Sequence, residues 1–386
     1  MITKTAISNF QKLETPLFYY DMDLLRETLS LFKKLLDKYG IVGHYALKAN
    51  ANDRILKAVL DHGIGAECAT GNEVSLAVAS GFAPENVVFA GVAKTDKEIV
   101  TALKADIACF NCESIQEIQV IDELAGSLGK RARIAIRVNP NVDAHTHKYI
   151  TTGLKENKFG ISPWAFDEVL KVIKASKNID FTGLHFHVGS QITDMSVFKE
   201  LCIKVNVIEN WFEEKGVNVK SIDLGGGLGV DYDDPDKHPV PTFEEYLKVI
   251  HDNLKVKPGQ IVRVEPGRAV VAQCGYLITR ATYVKNGMEK KFVILDAGMN
   301  NLIRPALYDA HHKVENITSD GKKSRYDVVG AVCESSDTFA ANALVNETRR
   351  GDIFAIHSAG AYGQVMNMRY NQRDLAKAYY SDDFNK

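Results

Sequence analysis

Neither sign of charge is in excess in this sequence: 47 lysines and arginines stand against 49 aspartates and glutamates, a formal net charge of −2. Binding to nucleic acid through a broad basic surface needs a large positive excess, so no nucleic-acid partner is expected. No apolar run reaches the roughly 18 residues of a membrane-spanning helix, so no membrane partner is expected either. No apolar stretch follows a basic N-terminal start, and six cysteines in 386 residues are too sparse for a disulfide scaffold. The expectation is a cytoplasmic protein. What remains is an ordinary globular composition, 45% hydrophobic and 25% charged, with enough length for a sizeable core and more than one domain.

Two of the six cysteines, Cys109 and Cys112, have the spacing of a redox or zinc pair. A second Cys/His pair is missing, and Asp106-Ile-Ala-Cys-Phe-Asn-Cys reads as a buried strand, so no metal site is expected.

From about residue 30 to 270, short β-rich runs alternate with helical patterns, the signature of parallel βα units. Eight strands are expected, at 43–47, 65–69, 86–90, 107–111, 133–138, 181–188, 221–224 and 260–265. Between them, segments such as 53–62, 71–81, 114–128, 164–176, 196–214 and 242–253 space their apolar residues at three and four. Eight such units fit a (β/α)8 barrel of the TIM type, with its chemistry at the C-terminal ends of the strands. After Pro266 the helical rhythm stops. Runs at 269–284, 291–296, 326–330 and 351–357 predict a C-terminal β-rich domain, a sandwich or barrel. Thr15–Tyr20 is also strand-like and could pair with it. The expected division is a barrel over 30–270 and a β-rich domain from 1–29 and 271–386.

Reactive residues recur at the expected strand ends. Lys48 closes the first strand in Tyr45-Ala-Leu-Lys-Ala-Asn, an apolar setting where desolvation would free its amine to form an imine; a surface lysine fits the same position. Gly225, Gly226 and Gly227 follow the seventh strand in Asp223-Leu-Gly-Gly-Gly-Leu-Gly, where backbone N–H groups could converge on a phosphate or simply form a tight turn. The run lacks the Gly-Lys-Ser/Thr of a nucleotide loop and the spacing of a dinucleotide fingerprint. Glu265-Pro-Gly267-Arg268 ends the eighth strand with an acid that could keep a heteroaromatic nitrogen protonated and a fork that could grip a phosphate or carboxylate. His185 and His187 share a face under two-residue alternation, ahead of Gly189-Ser190. With no acidic ligand nearby in sequence, one ring stacked on a flat cofactor is more economical than a metal pair.

In order and spacing, Tyr45-Ala-Leu-Lys48-Ala-Asn, His185-Phe-His187-Val-Gly-Ser190-Gln, the glycine run and Glu265-Pro-Gly-Arg268 resemble the pyridoxal-phosphate decarboxylases of the alanine-racemase-like barrel type. Phe89-Ala-Gly91-Val-Ala-Lys94, Arg137-Val-Asn-Pro140, Lys158-Phe-Gly160, Arg304-Pro-Ala-Leu-Tyr308, Cys333-Glu334-Ser-Ser-Asp337 and Gly360-Ala-Tyr362 add to the likeness, which runs from Thr15 to about Tyr370. One departure is Glu67-Cys68-Ala-Thr-Gly, where an aspartate is usual; Glu67 fills its place with a longer reach.

The resemblance implies pyridoxal 5'-phosphate as cofactor, held by Lys48, with His187 stacked on its ring and Glu265 at its ring nitrogen. Ser190, Gly225 to Gly227 and the backbone after Glu265, including Gly267, would take the phosphate. Arg268, Arg304 and Tyr308 would read the distal carboxylate of the substrate, and Tyr362 would touch cofactor and substrate. In this family the segment matching Cys333-Glu334 enters the site of a partner subunit, so a homodimer with shared active sites is implied. Cys333 would then be the proton donor and Glu334 would bind a distal ammonium. The implied reaction is loss of carbon dioxide from meso-2,6-diaminoheptanedioate to give L-lysine. The competing readings are a decarboxylase of ornithine, arginine or carboxynorspermidine, an alanine racemase, and a homologue that binds the cofactor without turnover.

Overall fold

The computed structural model describes residues 2–142 and 158–384. The loop with Asp143, His145 and His147, whose closure as a lid the sequence leaves open, lies outside the described residues. Contacts divide the chain into two units, one of Leu29–Gly229 and Thr242–Gly267, the other of Met1–Thr28, Val230–Pro241 and Arg268–Lys386.

In chain order the strands are β1 (Leu17–Tyr20), β2 (Ile41–Ala46), β3 (Gly65–Cys68), β4 (Val87–Phe89), β5 (Cys109–Cys112), β6 (Ala132–Arg137), β7 (Ile179–His185), β8 (Ser221–Asp223) and β9 (Ile261–Val264). They continue with β10 (Gly275–Asn286), β11 (Lys291–Leu295), β12 (Val314–Asn316), β13 (Lys323–Val329), β14 (Thr338–Asn346), β15 (Ile353–Ile356) and β16 (Lys377–Tyr380).

The first unit is a (β/α)8 barrel. β2 to β9 pair in parallel with their neighbours, and β2 closes the ring on β9 through Ile41 opposite Val262. Each expected strand is present. Helices start where small hydroxylated residues can take up free N–H groups: Thr70 accepts from Glu73, Ser114 from Glu117, and Thr95 with Glu98 makes a reciprocal cap. These caps fix where a helix leaves each loop, and so where each strand's C-terminal end opens. Cys109 and Cys112 lie on β5 with buried thiols turned to the Phe110 carbonyl oxygen. Burial pushes the Cys109 thiol up to about 11, which suits packing rather than redox chemistry.

The second unit is a mostly antiparallel sheet in the order β12-β15-β10-β11-β13-β14. β1 joins β10 antiparallel and β16 parallel, so the N-terminal run does pair with the later chain. Phe10, Leu17, Tyr19, Tyr276, Ile278 and Ile353 bury one face of that sheet. The single strand expected over 269–284 is corrected: Arg268–Val271 is a short helix, and β10 begins only at Gly275. Gly275 is the reason the strand can start there, because a Cβ on it would come within 2.2 Å of the Gly360 Cα. β12, β14 and β16 were not foreseen, since they are short or strongly exposed and lack an apolar alternation. No helix among the described residues is long and apolar enough to cross a membrane.

Candidate active site

At the end of β2 the backbone tightens into a 3-10 turn, Leu47–Ala49, which carries Lys48. Its Nζ donates to Glu67 Oε2 at 2.8 Å, from the neighbouring strand β3. The apolar setting expected for Lys48 is corrected: its side chain is 42% exposed and is paired with a carboxylate only 1% exposed. The other oxygen of Glu67, Oε1, is buried without a partner among the described residues.

β9 ends at Val264, and Glu265 follows it fully inside the barrel. Its Oε2 lies 3.1 Å from His185 Nε2 on β7, and its Oε1 accepts from Asn111 on β5 at 3.5 Å. Asp223, at the end of β8, stands beside both; its Oδ1 accepts from Gly225 N at 2.9 Å, and its carboxyl also meets that of Glu265. Burial, and then the Glu265 charge, lifts Asp223 to about 8. Burial and Glu67 lift Glu265 to about 8, with Lys48 and Arg137 pulling the other way. Burial also lowers His185 to about 4, so the imidazole is neutral. Two carboxyls this close cannot both ionise, and at neutral pH they retain a proton between them.

His185 and His187 have different hydrogen-bond partners. β7 stops at His185, and His187, two residues on, makes a different bond: its Nδ1 accepts from Gly226 N at 3.3 Å. His185 in turn has two acids beside it, Asp223 and Glu265, which sequence proximity did not reveal. Burial, and next Arg137, takes His187 well below the usual imidazole range.

The glycines after β8 are needed for closeness. Gly225 has φ +70°, and a Cβ there would stand 2.3 Å from the Phe186 carbonyl oxygen; at Gly226 it would stand 2.4 Å from that of Glu265. The turn is thus packed against the neighbouring strand ends, with its Gly225 and Gly226 N–H groups donated to Asp223 and His187. Ser190 follows at Gly189-Ser190, and Gly267 packs against Ala46 and Ala49 at the foot of the Lys48 turn. Two further motifs converge on a residue not singled out before, Glu113 after β5. Arg137 Nη1 donates to it at 2.6 Å and Gly160 N at 2.8 Å. Lys94, fully buried, ties Glu117 to the Gly91 and Asn111 carbonyls.

The other unit holds the remaining expected residues. Arg268 and Arg304 are both buried and both donate to one atom, the Tyr232 hydroxyl oxygen. Arg304 and Tyr308 begin and end a five-residue helix, so their side chains, four apart, lie on one side. Tyr362 sits at φ +56° with its ring 4.9 Å from the Arg268 guanidinium. Such a backbone angle costs of order 1 kcal/mol in a tyrosine and marks a position held by its surroundings. Cys333 and Glu334 lie on an exposed turn, closed by Asp337 accepting from Val332 N and Met299 N. Cys333 N donates to Asn371 Oδ1, and Glu334 Oε1 accepts from Ser336 Oγ. Cys333 is the one exposed cysteine of the six. Tyr232 and His312, which complete the arginine cluster, were missed; the only sequence signal was that Tyr232 closely follows the glycine run.

Residues 22–272 match the family described as pyridoxal-dependent decarboxylase, pyridoxal binding domain. A diaminopimelate decarboxylase of Bacteroides thetaiotaomicron is 50% identical over 378 residues, covering 98% of both chains. The crystal structure of diaminopimelate decarboxylase from Helicobacter pylori complexed with L-lysine is similar at 39% identity and a TM-score of 0.91, over 97% of this chain and 94% of that one. That of the M. jannaschii diaminopimelate decarboxylase in co-complex with L-lysine gives 33% identity and a TM-score of 0.90, over 98% and 90%.

Proposed function

Because the chain belongs to the pyridoxal-dependent decarboxylase family, we propose that its reaction is the decarboxylation of meso-2,6-diaminopimelate to L-lysine and carbon dioxide. The observation that carries this reading is the acid cluster of the barrel. A buried carboxyl at Glu265, backed by Asp223 and His185, suits the nitrogen of a pyridine ring. Glu67 Oε1 and His185 Nδ1 are buried and unpartnered among the described residues, which also fits a site built for a further group.

Pyridoxal 5'-phosphate, when bound, supplies an electron sink for the charge left as carbon dioxide departs. Lys48 would hold it covalently through Nζ, and Glu67 Oε2 keeps that amine oriented. Glu265 would share a proton with the ring nitrogen; Asp223 and His185 set how readily it does so. His187, fixed at Nδ1 by Gly226 N, would lie against the ring. Ser190, Gly225 to Gly227 and Gly267 would hold the phosphate, with Tyr362. Arg268, Arg304 and Tyr308 would take the distal carboxylate, and Glu334 the distal ammonium. Fixing that far end selects the substrate, so its loss should show chiefly in KM, with a smaller loss of rate.

Cys333 would return a proton to the carbon that lost its carboxylate. The exposed turn that carries Cys333 and Glu334 supports donation of both to the site of a second copy, in a homodimer. Six free cysteines, none in a disulfide, fit a cytoplasmic location. A substrate panel tests the reading: carbon dioxide release from meso-diaminopimelate should far exceed that from ornithine, arginine or carboxynorspermidine. Equal rates would favour the broader basic-amino-acid decarboxylase.

A further inference from the structure

Tyr232 draws two arginines onto one oxygen. Arg268 Nη1 donates to its hydroxyl at 2.7 Å and Arg304 Nη1 at 2.9 Å, so both lone pairs of the phenol are taken by charged donors. Burial alone would raise the phenol's pKa, but Arg268 and Arg304 outweigh it and hold the group below its usual range. The same Nη1 of Arg304 lies 2.8 Å from His312 Nε2. His312 Nδ1 donates to the His357 carbonyl oxygen at 2.8 Å, which leaves Nε2 as an acceptor. Burial, and then the neighbouring guanidinium, keeps that imidazole neutral.

Both hydrogens of Arg304 Nη1 are therefore used, one on Tyr232 and one on His312. Arg304 Nε, by contrast, is buried and has no partner among the described residues. Nε and Nη2 together form the edge through which a guanidinium takes a carboxylate by two parallel bonds. The Tyr232 ring adds packing, 4.8 Å from the Arg304 guanidinium and edge-on to His312 at 5.0 Å.

We propose that Tyr232 and His312 are positioning residues for substrate choice: they clamp Arg304 at Nη1, and Arg268 onto the same oxygen, so that the Nε and Nη2 edge is set in advance for a distal carboxylate. This rests on the reading of Arg268 and Arg304 as the groups that take that carboxylate. A fork fixed before binding loses less side-chain entropy when the substrate arrives. Two fixed guanidiniums also repel the cationic tail of a diamine-forming substrate, so the clamp works for one ligand and against the other.

The test is steady-state kinetics of the cofactor-loaded enzyme. Tyr232→Phe keeps the ring and removes the oxygen; KM for meso-diaminopimelate should rise about tenfold, with kcat falling much less. The inhibition constant of L-lysine, which keeps the distal end, should rise in parallel. His312→Leu should act the same way, and His312→Gln, whose amide oxygen can accept, should recover most of the loss. Unchanged KM and L-lysine inhibition in Tyr232→Phe would overturn the proposal, as would equal damage to kcat and KM. If Tyr232→Phe does not fold, equal losses in the two His312 variants overturn it. Arg304→Leu separates the two levels: if it leaves KM and L-lysine inhibition untouched, the carboxylate reading itself fails, whereas a large effect there with a silent Tyr232→Phe removes the clamp alone.

Discussion

In the barrel unit Glu113 and Glu117 are paired with Arg137 and Lys94, and the clustered buried groups left by those pairs are acids, Asp223 and Glu265 around the neutral His185 imidazole. In the β-rich unit they are guanidiniums, Arg268 and Arg304, with a phenol and a neutral imidazole between or beside them. The two clusters share a construction, charges of one sign gathered around a neutral or half-neutral hinge, and differ in what they welcome. Acids that retain a proton suit amines and a ring nitrogen; guanidiniums suit a carboxylate. The difference teaches where each step of the reaction draws its help, since changes in the acids should appear in the chemistry and changes in the arginines in recognition.

The largest effect should come from Lys48→Ala. It should abolish the visible absorbance of the purified protein and cut turnover by at least about a thousandfold, because it removes the amine proposed to hold the cofactor. A yellow, active variant would dissolve the contrast altogether. Glu265→Gln should be next. The amide keeps the shape but cannot share a proton as an acid does, so kcat should fall about a hundredfold, near 2.7 kcal/mol, with KM little moved. A loss confined to KM would place Glu265 on the recognition side and blur the comparison.

The smallest effect sharpens the acid side. The pKa of Asp223 is raised from 3.8, and that of Glu265 from 4.5, to about 8 in the folded chain. Between those values the folded protein binds more protons than the unfolded one. The stability this contributes is fully present below about pH 4 and is lost as pH rises through 8. Cofactor-free protein should accordingly lose melting temperature between pH 6 and pH 9, and Asp223→Asn should reduce that loss by about half. Equal slopes for variant and parent in a calorimetric series would mean that the pair does not share a proton.

The barrel and most of its strand-end residues could be read ahead because their cues are local. Strand ends follow from alternation and spacing, as at Lys48 and Glu265, and a run of glycines announces itself. The coupling of Asp223 to His185 and Glu265 could not be read, because β7, β8 and β9 bring together residues about 40 apart in the chain and nothing in their separate surroundings says so. Asn111 and Glu113 reach the same centre from β5 and were passed over as strand residues. The Tyr232 and His312 clamp lay deeper, since its members come from a loop, a short helix and a turn, where no period ranks one residue over the next.

The pairing of β1 with both β10 and β16 ties residues near the start of the chain to residues near its end. A ribosome therefore releases the stretch that forms the eight-stranded ring long before Lys377–Tyr380 emerge to flank Leu17–Tyr20. The half that would carry the vitamin-derived group can mature while the arginine half still waits for its last strand, and a message truncated near its 3' end would yield a sheet in which β1 lacks its parallel neighbour.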